Sequence, residues 1–409
     1  MADVRRAVRE LLAEVLAPAA PEALTALDAA QGARPVGADG VAVARDALPG
    51  LLAAPDAAPD ARPPHADEAA QAPDARLVLV ALSGGPDSLA LAAALAFEAP
   101  RAGLAAGAII VDHALQQGSA EVAARAAAQA RALGLGPVIV ETVTVAGASR
   151  GGAGADGTPE AAGKPSASTG GLAVGVYAPA PTGGPEAAAR TARYAAFERA
   201  VAATGASHVL LAHTLDDQAE TVLLGLARGS GPASLSGMSP VNGAYLRPLL
   251  GIPRRTLHQS LADQGLEAWH DPQNDDPAYR RVRVRQTVLP VLEAELGPGI
   301  AEALARTADQ LREDSDALDA LASEWAAEIV EHAEAGIAVD VHGLASNPPA
   351  LAQRIVRFVV ASEFGTTLSR AQTLAALRLV TEWHGQVGVD LPGIHVARVA
   401  GQLVFTRRA

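Results

Sequence analysis

The sequence predicts an α/β fold: a parallel sheet flanked by helices, Rossmann-type, followed by a second, mainly helical domain. Three observations predict it. Short apolar runs recur at 76–83, 106–113, 136–145 and 208–213, of strand length and apolar enough to be covered on both faces. Helix-period segments near 87–98, 119–133, 185–204 and 216–227 alternate with them. From about residue 289 the pattern becomes largely helical, with a late alternating stretch, "GVDLPGIHVARVAGQLVFTR", that reads as a hairpin.

Taken in order, residues 1–17 suit a helix, because Val4, Val8, Leu11, Leu12, Val15 and Leu16 fall on one side. This start is charged and amphipathic rather than signal-like. Residues 31–75 shift to Ala, Pro, Asp and Gly and read as a flexible linker or insertion, and about 146–185 reads as a second, disordered one. The expected organisation is an N-terminal helix in 1–30, the linker 31–75, an α/β domain 76–245 and a mainly helical domain 246–409.

Composition narrows the function classes. Zero cysteines exclude disulfides, cysteine-held zinc or iron–sulfur centres and thiol nucleophiles. No apolar run reaches about 18 residues, so no membrane partner is expected and a cytoplasmic location is the default. The net charge of −13 requires that any polyanionic partner be met by a local basic patch. Nearly all positive charge is arginine, since Lys164 is the one lysine.

Three polar clusters fall at strand ends, where ligands of such sheets bind. The first is "SGGPDS", Ser83 to Ser88. Gly84 and Gly85 allow a tight turn that presents backbone N–H groups, and Pro86 suits a first helical turn. The helix that follows aims its positive end at the loop, which suits a phosphate. The lysine-bearing G-x-x-x-x-G-K-[ST] pattern is absent. The second cluster is Asp112-His113 in "IIVDHALQQGS". The third is "HTLDDQAET", where His213 ends a strand and Asp216, Asp217 and Glu220 begin a helix, Asp216 and Glu220 on one face. Acidic residues at a helix start also complement its dipole, so by themselves they leave the role open.

The hexapeptide resembles the SGGxDS signature of the PP-loop, or N-type ATP pyrophosphatase, superfamily, whose members hold the pyrophosphate of ATP there while adenylating a substrate. Opposite such a loop, carboxylates have a second use, holding Mg²⁺ against the phosphates. With Val111-Asp112-His113, "ARTARY" (Ala189 to Tyr194), "HTLDDQAET", "RGSG" (Arg228 to Gly231), Gly237-Met238, "RPLL" (247–250), "DPQND" (271–275) and "YRRVRVRQTVLPVL" (279–292), the chain resembles the tRNA(Ile)-lysidine synthase branch. Two positions depart from that pattern: Val282 stands for the usual asparagine and Thr214 for a frequent second histidine.

The resemblance implies ATP and Mg²⁺ as cofactors, with tRNA(Ile) bearing a CAU anticodon and L-lysine as partners, and a homodimer is possible. It implies that Ser83, Gly84, Gly85, Pro86, Asp87 and Ser88 bind ATP, with Asp112 and His113 on the nucleotide side. Asp87, Asp217 and Arg190 are the implied catalytic residues, and Asp87, Asp216 and Asp217 the implied metal ligands. His213, Glu220, Arg193, Arg228, Arg281, Arg283 and Arg285 are implied for tRNA or substrate. The missing cysteines weigh against thiolating and glutamine-dependent relatives. An ammonia-using ligase of a small molecule and a tRNA-binding module without catalysis are the alternatives, and pyrophosphate–ATP exchange separates the latter from an enzyme.

Overall fold

The computed structural model describes residues 1–16, 76–114, 118–143, 185–229, 231–333 and 336–408. The linker 31–75 lies outside the described residues, and so does 146–185 except Pro185.

The first sheet contains β1 (Leu77–Ala81), β2 (Ala105–Asp112), β3 (Val138–Thr142), β4 (His208–Leu210), β5 (Val241–Asn242) and β6 (Tyr245–Leu246) in the order β3-β2-β1-β4-β6-β5. All pairings are parallel except the β5–β6 hairpin. Helices α2 (Pro86–Glu98), α3 (Ser119–Ala132), α4 (Pro185–Thr204) and α5 (Leu215–Ala227) follow β1 to β4 in turn. The chain builds outward from β1 through β2 to β3, then returns to pair β4 on the other side of β1. That reversal leaves a crevice beyond the carboxyl ends of β1 and β4, where a doubly wound sheet binds its ligand.

Uniformly apolar strands are explained by cover on both faces. Val78, Val80, Ala108 and Ile110 pack with α2, α3 and the N-terminal helix α1 (Ala2–Leu16). Leu79, Ile109 and Val209 pack with Phe197 and Ala200 of α4 on the opposite face. Each large aliphatic side chain buried this way contributes roughly 1.5–3 kcal/mol. Helix α1 is further tied to α2 by Phe97, whose ring is met at 3.5 Å by the guanidiniums of Arg5 and Arg101.

A short α6 (Pro232–Leu235) follows α5, and α7 (Arg254–Gln264) starts just after the hairpin. The arginine-rich stretch forms α8 (Arg280–Arg283), a π-helical turn (Val284–Val288) and α9 (Leu289–Leu296). Pro290 has no N–H to continue the ladder, and the widened turn stands immediately before it. Helix α10 (Ile300–Ile329) then runs about 45 Å at 1.5 Å per residue.

The second domain keeps helices α11 (Val341–Ser346), α12 (Pro349–Phe364) and α13 (Arg370–Thr381) but contains more strand than the sequence pattern indicated. Strands β7 (Val330–Ala333), β8 (Gly336–Asp340), β9 (Val389–Leu391), β10 (Ile394–Val399) and β11 (Gln402–Arg407) form an antiparallel sheet ordered β7-β8-β11-β10-β9. The hairpin read at the carboxyl end is β10–β11. The added strands β7 and β8 come from "VEHA" and "GIAVD", where an alanine- and glutamate-rich helix pattern ran straight into the strand. Val339, Val396, Leu403 and Phe405 are buried against Ile355, Val356, Val359 and Val360 of α12. Among the described residues no helix is long and apolar enough to cross a membrane.

Candidate active site

The phosphate loop is shaped by its own hydroxyls. Ser88 Oγ accepts from the Ser83 N–H at 3.2 Å, lies 3.1 Å from Ser83 Oγ and donates to the Gly85 carbonyl at 3.0 Å. Gly84 has φ +84°, a conformation that disfavours any side chain. Gly85 is the N-cap of α2, and no side chain caps that end. The first turn therefore offers its N–H groups and the positive end of the helix dipole to an anion.

Helix α5 opens differently. Its N-cap Thr214 and Asp217 form a capping box: the Thr214 N–H and hydroxyl both donate to Asp217 Oδ2 at 2.9 Å, and the Asp217 N–H returns to Thr214 Oγ1 at 3.3 Å. The Thr214 hydroxyl, donor to Asp217 Oδ2 and acceptor of the Asp217 N–H, closes the box. Asp217 Oδ1 is left facing the crevice.

Arg254, at the start of α7, joins these two helix starts. Its Nε donates to Asp87 Oδ2 at 3.2 Å and its Nη2 to Asp217 Oδ1 at 3.0 Å, while Nη1 is 3.7 Å from Glu220 Oε1. Its backbone N–H donates to Asp216 Oδ2 at 2.7 Å. All four acidic site residues thus converge on one residue. Its guanidinium is mostly buried, and Asp217, Asp87 and Glu220 hold its pKa above the ordinary value despite burial.

The surroundings separate the two aspartates. Burial pushes the Asp87 carboxyl up by more than Arg254 offsets, and neighbouring Asp217 adds to the rise. Burial also pushes Asp217 up, but Arg254, Arg281 and the Thr214 N–H outweigh it and hold the group below its usual range. His213 is lowered to about 4, chiefly by burial, so its imidazole is neutral at pH 7.

Glu220 is fully buried and clasped by two arginines. Arg281 Nε donates to Oε2 at 2.8 Å, and Arg285 donates from Nε to Oε1 at 2.7 Å and from Nη2 to Oε2 at 3.2 Å. Arg281 Nη2 also donates to Thr221 Oγ1 at 2.8 Å. Arg283 points elsewhere and binds the carbonyls of Pro277 and Ala278. Arg228 is the exposed C-cap of α5.

On the β2 side, buried Asp112 accepts the Ala114 N–H at 2.9 Å, which holds the turn leaving the strand. Arg193 Nε donates to His113 Nε2 at 3.3 Å, so the imidazole proton is on Nδ1, a buried atom with no partner among the described residues. Burial, then the Arg193 charge, lowers the His113 pKa. Arg190 lies over the Tyr194 ring at 5.0 Å and donates to its hydroxyl at 3.3 Å.

The structure therefore gathers Asp87, Asp216, Asp217, Glu220, Arg281 and Arg285 in one network, with His213 beside Asp217. His113, Arg193 and Arg190 form a neighbouring group on the β2 side, and Arg228 and Arg283 stand apart. Sequence reasoning missed Arg254, His258 (Nε2 3.6 Å from Asp87 Oδ1) and Trp269, whose N–H donates to the Gly84 carbonyl at 2.9 Å. The one local signal for Arg254 is "PR" opening an amphipathic helix soon after "RPLL".

Among the described residues no three His, Asp or Glu side chains are gathered as a ready cation site. Asp87 Oδ1, however, is buried without a hydrogen-bond partner. That suits Mg²⁺ held by one carboxylate and completed by phosphate oxygens and water.

An uncapped glycine loop at the central strand, facing acidic and basic side chains from the helices α5 and α7, defines an ATP-binding PP-loop domain. The chain matches the PP-loop domain family over residues 64–164 and 173–292, and the TilS substrate binding domain family over 340–404. It is 60% identical over 330 residues to a tRNA(Ile)-lysidine synthase of Leifsonia xyli subsp. xyli, covering 80% of this chain and 89% of that one. The counterpart from Thermobifida fusca is 50% identical over 325 residues, covering 79% and 89%. That from Streptomyces coelicolor is 46% identical over 342 residues, covering 81% and 85%. The chain belongs to the tRNA(Ile)-lysidine synthase family.

Proposed function

We propose that this chain joins the ε-amine of L-lysine to C2 of the wobble cytidine of tRNA(Ile) with a CAU anticodon, in the cytoplasm, consuming ATP and releasing AMP and pyrophosphate. The observation that carries the reading is the meeting of Asp87 from the phosphate-loop helix with Asp217 and Glu220 from the facing helix at a single guanidinium.

A cytidine carbonyl oxygen is a poor leaving group, so direct amine attack is slow. Transfer of AMP to that oxygen supplies a good one, and the lysine amine then displaces AMP. The uncapped start of α2 and the loop amides hold the departing pyrophosphate, and Arg254 is a fixed cation within reach of the same loop. Mg²⁺, when bound, would neutralise phosphate oxygens, with Asp87 Oδ1 as its protein ligand and Asp216 and Asp217 close by. Asp217, kept ionised, attracts the incoming ammonium, and a carboxylate of this cluster takes the proton the amine must lose before attack. Arg190 and Arg193 face the nucleotide from the β2 side. Arg280 and Arg283, which pair with no carboxylate among the described residues, supply local basic charge that the acidic total requires, while Arg281 and Arg285 are held by Glu220.

The test incubates the protein with labelled lysine, ATP and unmodified isoleucine tRNA bearing CAU. Label in the RNA, dependent on ATP and lost in D87N and D217N, supports the reading. ATP–pyrophosphate exchange with no label in RNA points instead to a small-molecule acceptor.

A further inference from the structure

The segment after α5 contains two motifs that the ligation chemistry leaves without a role: Gly231 at the end of "RGSG", and Gly237-Met238. The structure clamps this segment from two sides. From α5, Gln218 Nε2 donates to the Met238 carbonyl at 2.9 Å and Gln218 Oε1 accepts the Met238 N–H at 2.7 Å, so one amide reads both backbone groups of one residue. Gly237 has φ +64°, and a Cβ there would collide with the Gln218 amide, so the clamp closes only on glycine. From α10, Arg312 Nη2 donates to the carbonyls of Ser236 at 2.7 Å and Met238 at 3.0 Å. The Arg312 side chain is 16% exposed, and its one carboxylate partner among the described residues, Asp309, is an exposed neighbour on the same helix.

Desolvating a guanidinium to bind two main-chain carbonyls is costly unless it fixes something. What it fixes is adjacent to the site: Gln218 is 1% exposed and stands between Asp217 and Ala219, two residues before Glu220. At its other end α10 enters the second domain, where Ala322 and Ala326 belong to the core formed with α12 and the antiparallel sheet.

We propose that Arg312 is a positioning residue for the ligation: by holding Ser236–Met238 against Gln218 it fixes the first turns of α5, and so Asp217 and Glu220, to the helix that carries the second domain. The functional half of this proposal rests on the lysine-ligation reading.

The test is a double-mutant cycle in the full-length protein with R312A, Q218A and the pair, read by lysine- and tRNA-dependent AMP release and by hydrogen exchange of residues 214–221. R312A is expected to lower kcat about 10- to 100-fold while KM for ATP stays within about twofold, because misplaced catalytic groups cost rate before they cost nucleotide binding. Exchange across 214–221 speeds up, and Q218A added to R312A costs little more than either alone. R312K, with a charge but no planar fork, falls between. Wild-type kcat and exchange in R312A, or losses that add in full, overturn the proposal. If R312A does not fold, R312K decides: lowered kcat with faster exchange at 214–221 supports it, and unchanged kcat overturns it. The exchange measurement needs no substrate, so a failure of the ligation reading leaves that result standing.

Discussion

Asp87 and Asp217 sit on the first turns of two helices that follow neighbouring parallel strands, and Arg254 binds both, at 3.2 Å and 3.0 Å. Their pKa values are pushed in opposite directions, Asp87 up and Asp217 down. Divergent carboxylates in one crevice are the pattern by which acid and base roles are divided.

Replacing Arg254 removes the charge that lowers both aspartates. In R254M both carboxyl pKa values rise, so the acid limb of the pH–rate profile for ATP–pyrophosphate exchange moves to higher pH. The maximal rate falls by about 10²-fold or more, in line with loss of a preorganised charged donor. R254K restores charge without the fork and recovers only part of the rate. An acid limb that stays in place while the rate falls would separate Arg254 from the aspartates.

The arginines of 280–285 divide into two classes that composition alone cannot separate. R281A and R285A each strip a partner from fully buried Glu220, and each is expected to cost on the order of 3 kcal/mol in stability by urea unfolding. R283A removes only bonds to exposed loop carbonyls and stays within about 0.5 kcal/mol. Loss of tRNA affinity with a shallower salt slope in R283A, at unchanged stability, identifies it as a phosphate contact. Equal stability for all three variants contradicts the division.

Much of the first domain was legible because its strands are buried on both faces and so stand out as apolar runs between amphipathic segments. The helix read over 185–204 has those bounds in the structure. The phosphate loop was legible because a tight turn, a proline start and small polar residues are local demands. Arg254 was not, because its partners Asp87 and Asp217 lie 167 and 37 residues away and its own neighbourhood reads as an ordinary helix start. The pairing of Glu220 with Arg281 and Arg285 was hidden for the same reason, and the basic run looked free. Strand β7 was obscured because the helix pattern of α10 runs into it without a glycine or proline to mark the change, and Gly336 alone sets off β8.

Gly84 supports the loop by conformation rather than by space. A Cβ added there would stand 3.5 Å from Ala126 Cβ, an ordinary contact, so G84A should fold at a cost of about 1–2 kcal/mol from the left-handed backbone alone. Relief of that strain turns the loop amides away from the anion. KM for ATP is therefore expected to rise more than about tenfold while thermal unfolding shifts by only a few degrees. A KM that tracks stability, with no excess effect on ATP, would show that this glycine serves only the turn.

His213 gives a pH dependence with a definite sign. Its folded pKa, about 4, lies below the ordinary value of 6.5, so the unfolded chain binds the proton more tightly. The stability linked to this group is fully present above pH 6.5 and is lost as pH falls towards 4. The loss reaches roughly 3 kcal/mol at pH 4 by linkage. Other groups titrate over the same range, so the quantity to measure is the difference between wild type and H213Q in urea midpoint from pH 7.5 to 4. H213Q is expected to lose less stability on acidification than wild type, with the two curves converging or crossing below pH 6. Parallel curves would mean that the imidazole is hydrated enough to accept its proton in the folded state, and the neutral histidine beside Asp217 would then no longer help to set the charge balance of the site.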